Sequence, residues 1–133
     1  MDMNPMAAWH RVVEGRDPAE LDALLDDDVV FHSPVVFTPQ RGKALTAMYL
    51  HAAFHVLNNE TFQYLREVIG PRDAVLEFAS VIDGVQVNGV DMIRWNDAGR
   101  IVDFKVMVRP LKAINMLHAK MAAMLQRPGP AAG

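Results

Sequence analysis

The stretch VQVNGVDMIRWNDAGRI, running from Val85 to Ile101, decides the fold of this chain. Side chains alternate between the two faces of a β-strand, so every second residue shares a face. One face of this stretch is apolar or glycine except for a single acid, and it comprises Val85, Val87, Gly89, Asp91, Ile93 and Trp95. The pattern predicts a strand from Val85 to Trp95 that carries one carboxyl on an otherwise apolar surface.

Turn sequences on either side of this strand predict its pairing. Asp83-Gly84 favours a two-residue hairpin, because both turn positions require a positive φ, and this places Leu76 opposite Asp91. The segment Asn96 to Gly99 is typical of a four-residue loop closed by glycine, and this places Phe104 opposite Asp91. The two neighbouring strands are therefore expected to run antiparallel to the central one.

Cross-strand partners share a face, so Asp91 is expected to stand among mostly apolar side chains from both neighbours. These are Leu76, Phe78, Ser80 and Ile82 on one side, and Val102, Phe104, Val106 and Val108 on the other. Loss of hydration disfavours a charged carboxyl, so we predict a raised pKa for Asp91. The alternative is a structural acid paired with an arginine or a buried backbone N–H, because a perturbed acid marks a functional site only statistically.

The composition predicts one soluble domain. The chain has 133 residues, of which 51% are hydrophobic, and a net charge of −3. Because no basic stripe is present, nucleic acid is not an expected partner, and no apolar run is long enough to span a membrane. Cysteine is absent, which excludes disulfides, and the first residues do not resemble a secretory signal. We expect a cytoplasmic protein with a single domain over residues 1–126, a disordered tail over residues 127–133, and no cofactor.

Capping residues predict two short helices at the start of the chain. Asn4-Pro5 and Asp17-Pro18 each combine a capping side chain with proline at the first helical position. The buried stripe of the second helix is Leu21, Leu24 and Leu25. The acids from Asp26 to Asp28 oppose the dipole of a helix C-terminus, so the helix is expected to end there. A metal site is the alternative for this triplet, but a calcium loop needs a longer ligand pattern with a glycine, so a solvated run is preferred.

A strand, a short hairpin and a long helix are expected next. The strand runs from Val29 to Ser33, and Val35 to Phe37 continues as the second strand of the hairpin. The helix runs from Gly42 to Leu57, with a buried stripe at Leu45, Met48, Tyr49, Ala52 and Val56. His51 and His55 have a spacing found in zinc sites, but the glutamate of the strong motif is missing. Partly exposed histidines are the preferred interpretation, and no metal is expected.

The second half of the chain reads as a meander of strands followed by a helix. The strands are expected over Thr61–Ile69, Ala74–Ile82, Val85–Trp95 and Arg100–Val108. Pro110 opens the last helix, whose candidate buried positions are Leu111, Ile114, Leu117, Met121 and Leu125. A strand–helix–strand repeat is absent from the sequence, so a parallel sheet is not expected. The predicted fold class is α+β, a curved antiparallel sheet covered on one face by helices.

Three passages resemble the nuclear-transport-factor-two-like superfamily, which includes ketosteroid isomerase and the SnoaL-like polyketide cyclases. They are LDALLDDDVVFHSP from Leu21 to Pro34, Gly42 at the start of the long helix, and VDMIRWNDAGRIVDFKV from Val90 to Val106. The resemblance covers residues 5–110. It implies a cone-like half barrel around a pocket, with helices on the concave face and dimers formed through the outer sheet face.

The resemblance also implies roles for three residues. In ketosteroid isomerase a neutral acid on this strand donates a hydrogen bond to the substrate oxygen, and Asp91 stands at the matching position. Trp9 stands where that enzyme has a tyrosine donor, and Ser33, before Pro34, stands where it has its aspartate base. An indole N–H can donate but not exchange a proton, and serine without a base accepts protons poorly. The isomerase's own mechanism is therefore not expected here.

One functional hypothesis is an enzyme that isomerises, cyclises or hydrates a hydrophobic carbonyl compound. Asp91 is its expected general acid or oxyanion donor, and His32 is the nearest candidate for the missing base. Strand alternation places His32 on the face opposite Ser33, so it reaches the pocket only if a bulge intervenes. His51 or His55 would reach the pocket only if the long helix is rotated from the predicted stripe.

The other hypothesis is a non-catalytic module that binds a small apolar ligand and dimerises through the outer sheet face at Gln86, Val90 and Met92. Both hypotheses predict a small hydrophobic molecule as a partner. The expected ligand contacts are Trp9, Phe31, Ser33, Tyr49, Leu76, Phe78, Val87, Phe104 and Val106. Nine methionines fit an adaptable lining, since methionine is flexible and polarizable, and they fit an ordinary core equally well.

Overall fold

The structure, a computed structural model, describes residues 4–15 and 17–126. Within these residues the chain forms four helices and six strands. The helices are α1 Met6–Gly15, α2 Pro18–Leu24, α3 Lys43–Leu57 and α4 Leu111–Gln126. The strands are β1 Leu25–His32, β2 Gln40–Arg41, β3 Gln63–Ile69, β4 Asp73–Ile82, β5 Val85–Trp95 and β6 Ile101–Arg109. The tail expected over residues 127–133 lies outside the described residues. Among the described helices, none is both long enough and apolar enough to cross a membrane.

The six strands form one mixed sheet in the order β2-β1-β6-β5-β4-β3. Neighbouring strands are antiparallel except for β1 and β6, which run parallel. The α+β class with helices over a curved sheet is confirmed, but the expectation of a wholly antiparallel sheet is wrong at this one pair. The strands β1 and β6 are far apart in the chain, so no hairpin fixes their relative direction.

The hairpin between β4 and β5 has the predicted register. Asp83 and Gly84 have φ angles of 51° and 76°, which are the positive values that a two-residue turn of this kind requires. Ile82 therefore pairs with Val85, and Leu76 pairs with Asp91. The turn chemistry alone was sufficient to place an apolar side chain beside the acid.

The hairpin between β5 and β6 differs from its predicted register. Asp91 pairs with Val106 rather than with Phe104, because Trp95 pairs with Ile101 instead of Arg100, and the ladder then shifts between Arg94 and Trp95 and leaves Val102 without a partner. The difference is two residues, and side chains alternate with a period of two, so Phe104 and Val106 still lie on the face of Asp91. The longer turn and the bulge together change the partner of the acid without changing the face.

The segment after α2 also differs from the prediction. β1 begins at Leu25 instead of Val29, so the acidic triplet lies within the strand. Asn96 donates to Asp26 at 3.1 Å, and Lys43 lies 3.5 Å from Asp27. The predicted strand at 35–37 is wrong, because Gln40–Arg41 pairs with β1 in its place and leaves this loop outside the sheet.

The predicted buried positions are partly wrong for α3 and mostly right for α4. In α3 the buried residues are Thr46, Leu50, Ala52 and Phe54, whereas Met48 is 46% exposed. The helix is apolar around most of its circumference, so spacing alone does not select the face that packs on the sheet. In α4 the predicted Leu117 is buried together with Ala113, and the predicted Ile114, Met121 and Leu125 are half-buried, whereas Leu111 is exposed. The helices α1, α3 and α4 contribute side chains to the space above the concave face of the sheet.

Candidate functional site

A cavity of about 60 Å³ lies between the concave face of the sheet and the helices. Its wall is almost entirely apolar. The sheet and the loop after β1 contribute Phe31, Ser33, Pro34, Val35, Tyr64, Phe78, Asp91, Phe104, Val106 and Val108. The helices and the segment after α3 contribute Trp9, Val13, Leu50, Ala53, Phe54, Leu57, Asn58, Phe62, Leu117 and Met121. The enclosed space therefore has apolar walls and very few polar groups.

Asp91 lies near the middle of β5 and keeps only 6% of its surface exposed. Leu76 and Val106 flank it on the neighbouring strands. Two residues earlier on the same face, Gly89 has no side chain, and the Phe78 ring packs over it. A Cβ at position 89 would lie 2.5 Å from Phe78 Cζ and 2.6 Å from the Met107 carbonyl oxygen. This close approach brings the Phe78 ring into the wall beside the acid.

A short chain of hydrogen bonds holds the Asp91 carboxyl. Trp9 Nε1 in α1 donates to Tyr64 Oη in β3 at 3.0 Å, and Tyr64 Oη donates to Asp91 Oδ2 at 2.7 Å. Within residues 4–15 and 17–126, Asp91 is therefore paired with Tyr64 and not with the arginine or backbone N–H considered as a structural partner. The three hydrogen-bonded side chains come from α1, β3 and β5, and all three line the cavity.

Burial raises the pKa of Asp91 from its ordinary 3.8 to about 7, while the hydrogen bond from Tyr64 acts in the opposite direction. The sequence pattern predicted this increase. Burial also raises the pKa of Tyr64, and the neighbouring Asp91 charge and hydrogen bond raise it further. Near neutral pH the Asp91 carboxyl is therefore divided between its neutral and charged forms, whereas Tyr64 keeps its proton. A group with a pKa near the working pH is well suited to acid–base chemistry.

The sequence analysis missed Tyr64, and a β-bulge explains why. If side chains alternated strictly along β3 from Ile69, which is next to the turn before β4, Tyr64 would lie on the outer face. The β3–β4 ladder shifts between Tyr64 and Arg66, so that Tyr64 pairs with Phe78 on the concave face. A bulge of this kind reverses the side to which the following residues point. The only sequence signal was an aromatic residue in a strand next to the predicted site.

Most of the predicted ligand contacts meet at the cavity. Those in its wall are Trp9, Phe31, Ser33, Phe78, Phe104 and Val106. Leu76 and Val87 are buried outside the wall, and Tyr49 stacks on Phe31 with ring centroids 5.6 Å apart. Ser33 Oγ accepts a hydrogen bond from the Val35 backbone N–H at 3.1 Å. Their roles toward a ligand stay predictions.

The predicted histidines do not join Asp91. His32 Nε2 lies 3.1 Å from Asp103 Oδ2 on the outer face, as strand alternation requires without a local bulge. His51 packs edge-on against Phe54, outside the cavity wall, and burial together with His55 lowers its pKa. Over residues 4–15 and 17–126, no group of three or more acids or histidines is arranged to hold a metal.

Comparisons with known proteins agree with this architecture. A model of the SnoaL-like domain matches residues 6–104. A structure described as a steroid delta-isomerase from Pseudomonas aeruginosa is 38% identical, with a TM-score of 0.85, and the match covers 90% of this chain and 88% of that one. An uncharacterized protein with a cystatin-like fold from Silicibacter pomeroyi is 33% identical, with a TM-score of 0.84 and coverage of 92% and 86%.

An NTF2-like protein of unknown function from Mesorhizobium loti, at 22% identity and a TM-score of 0.68, shares the fold, and the match covers 79% of this chain and 88% of that one. No curated protein sequence matches the chain. The region matched by the domain model contains the whole Trp9, Tyr64 and Asp91 chain of hydrogen bonds. This chain therefore belongs to the SnoaL-like domain family.

Proposed function

We propose that the cavity binds a small hydrophobic carbonyl compound and that the protein is an isomerase- or cyclase-type enzyme acting by proton transfer. The observation that carries the proposal is Asp91, a buried carboxyl with a pKa of about 7 in an apolar cavity wall. In its neutral form Asp91 donates a hydrogen bond or a proton to the carbonyl oxygen, where negative charge develops. The similar structure described as a steroid delta-isomerase supports isomerisation as the reaction class.

Cavity size limits the ligand. Sites for drug-sized molecules occupy about 300–1,000 Å³, which is several times the volume found here. We therefore propose a compact ligand. A polycyclic one would have to displace the half-buried side chains in the wall, such as Val35, Val108 and Met121.

A non-catalytic binding module is the second candidate, and one observation favours it. Among the described residues that line the cavity, Asp91 and Tyr64 are the only titratable ones. Ser33 stands at the place where the resemblance expects a base, and its hydroxyl is engaged by Val35. Turnover would then require the charged form of Asp91, or a group on the substrate, to accept the carbon-bound proton.

The Asp91→Asn variant separates these two functions. We would use compact cyclic ketones with an unconjugated double bond, and follow conjugation by ultraviolet absorption and binding by tryptophan fluorescence. Asparagine keeps the shape and a donor N–H but cannot transfer a proton, so turnover should fall at least about 100-fold while affinity changes little. Asp103→Asn, the same change on the outer face, is the matched control. Binding without turnover in the unmodified protein would support the binding module, and an Asp91→Asn variant unchanged in both would remove Asp91 from the site.

We further propose that the protein forms a homodimer through the outer sheet face. Exposed apolar side chains gather there on four neighbouring strands, namely Val68, Val75, Met92 and Met107. Clusters of this kind mark interaction surfaces. The half-buried Val90 lies between them on β5.

A charge at the centre of this face should disrupt the dimer. Met92→Glu is expected to convert a dimer into a monomer in light scattering coupled to size exclusion, because an unpaired charge would be buried at the interface. Leu111→Glu places the same charge on an exposed apolar position of α4 and should leave the dimer intact. A monomeric unmodified protein at micromolar concentration would contradict the proposal.

A further inference from the structure

The hydrogen bonds around Tyr64 have a fixed direction. An indole N–H is a donor only, so the Tyr64 oxygen must be the acceptor from Trp9. The Tyr64 hydroxyl then has one proton to give, and within residues 4–15 and 17–126 its acceptor is Asp91 Oδ2. The Trp9 indole, the donor farthest from Asp91, therefore fixes the direction of both hydrogen bonds.

This direction makes the two oxygens of Asp91 unequal. A proton on Oδ2 would make that oxygen a hydroxyl, which is a weaker acceptor for the Tyr64 proton than the carbonyl oxygen that Oδ2 becomes when the proton is on Oδ1. No described side chain donates to Oδ1, and Oδ1 is not among the fully enclosed polar atoms that lack a partner. Oδ1 is therefore the oxygen that Asp91 presents to the cavity.

We propose that Tyr64 is a positioning residue that directs the exchangeable proton of Asp91 to Oδ1, the oxygen available to a ligand. The hydroxyl of Tyr64 fixes the plane of the carboxyl and occupies its other oxygen, so the donor atom stands at one defined place. Its use in a reaction rests on the proposed function, but the placement of the proton does not.

Among the described residues, the other titratable groups near this pair lie beyond Tyr64 rather than beside Asp91. His10 packs edge-on against the Tyr64 ring, with centroids 5.4 Å apart, and its Nε2 lies 2.9 Å from Glu67 Oε1. In the described part of the chain, Tyr64 is the only titratable side chain hydrogen-bonded to Asp91. A change at the Tyr64 hydroxyl therefore acts on Asp91 directly.

Removal of that hydroxyl by Tyr64→Phe should move the Asp91 titration. The measurement is carbon NMR of the Asp91 carboxyl as a function of pH. We expect the midpoint to rise by about one pH unit, because the lost hydrogen bond favoured the charged form. Tyr49→Phe, the same change in a ring outside the cavity wall, should leave the Asp91 titration where it is. A folded Tyr64→Phe variant with an unchanged Asp91 midpoint would overturn the proposal.

A measurement on the unmodified protein covers the case in which Tyr64→Phe does not fold. The Tyr64 hydroxyl proton should exchange slowly with water and show a nuclear Overhauser effect to the indole N–H proton of Trp9. A hydroxyl proton that exchanges as fast as that of Tyr49 would contradict the inference. Neither measurement uses a ligand, so a negative result in either one would not contradict the proposed function. Likewise, a negative result in the Asp91→Asn turnover test would not contradict the proposed position of the proton.

Discussion

Asp91→Asn is expected to remove a large pH dependence of stability. The pKa of Asp91 is raised from 3.8 to about 7, so between these values the folded protein holds a proton that the unfolded chain releases. The contribution of Asp91 to stability is complete below the unfolded pKa and is lost as the pH rises through the folded pKa. A difference of about three pKa units corresponds to about 4 kcal/mol, lost between about pH 4 and pH 7.

Urea unfolding of both proteins at several pH values measures this effect. The free energy of unfolding of Asp91→Asn, minus that of the unmodified protein, should increase from pH 4 to pH 7 and stay level above it. Subtraction removes the contribution of the other titratable groups. Asp28→Asn, the same change at an exposed position of β1, is the control here. A flat difference for Asp91→Asn would mean that the carboxyl is hydrated in the folded protein.

Phe104→Ala is expected to destabilise the protein by about 3–5 kcal/mol, the usual cost of truncating a buried aromatic ring. Phe104 is 1% exposed, and its ring centroid lies 4.9 Å from that of Trp9 and 6.2 Å from that of Phe31. The ring also forms part of the cavity wall, so its removal enlarges the space beside Asp91.

Chemical unfolding and ligand addition together check this prediction. A small apolar compound that fills the new space should recover part of the lost stability, because a ligand that binds only the folded state stabilises it. Met48→Ala, at a half-exposed position of α3, should cost less than about 1 kcal/mol. A loss below about 1 kcal/mol for Phe104→Ala would show that the core around Trp9 closes over the vacancy.

The parts of the fold governed by local chemistry were predictable from the sequence. The Asp83-Gly84 turn determined the pairing of Leu76 with Asp91, because few residue pairs tolerate those φ angles. Alternation along β5 identified the lone acid, and alternation along β1 placed His32 on the outer face. These inferences needed only the residue types of one turn and the alternation of side chains between the two faces of a strand.

The remaining features depend on contacts between distant segments. The bulge that turns Tyr64 inward comes from the fit of β3 against β4, and no residue type in the strand marks it. The face of α3 that packs inward is selected by the sheet, because the helix offers apolar residues on several sides. The candidate acid was therefore found from the sequence, whereas the residue that orients it was not.

The parallel pair of β1 and β6 has a consequence for the order in which the protein is assembled. His32 and Asp103 are 71 positions apart in the chain, whereas β3 to β6 follow one another through short connections. Contacts over long sequence separations carry a larger loop-closure entropy and are associated with slow folding. Phe31 contacts Phe104 only because β1 pairs with β6. The wall of the cavity around Asp91 is therefore complete only after the first and last strands have paired.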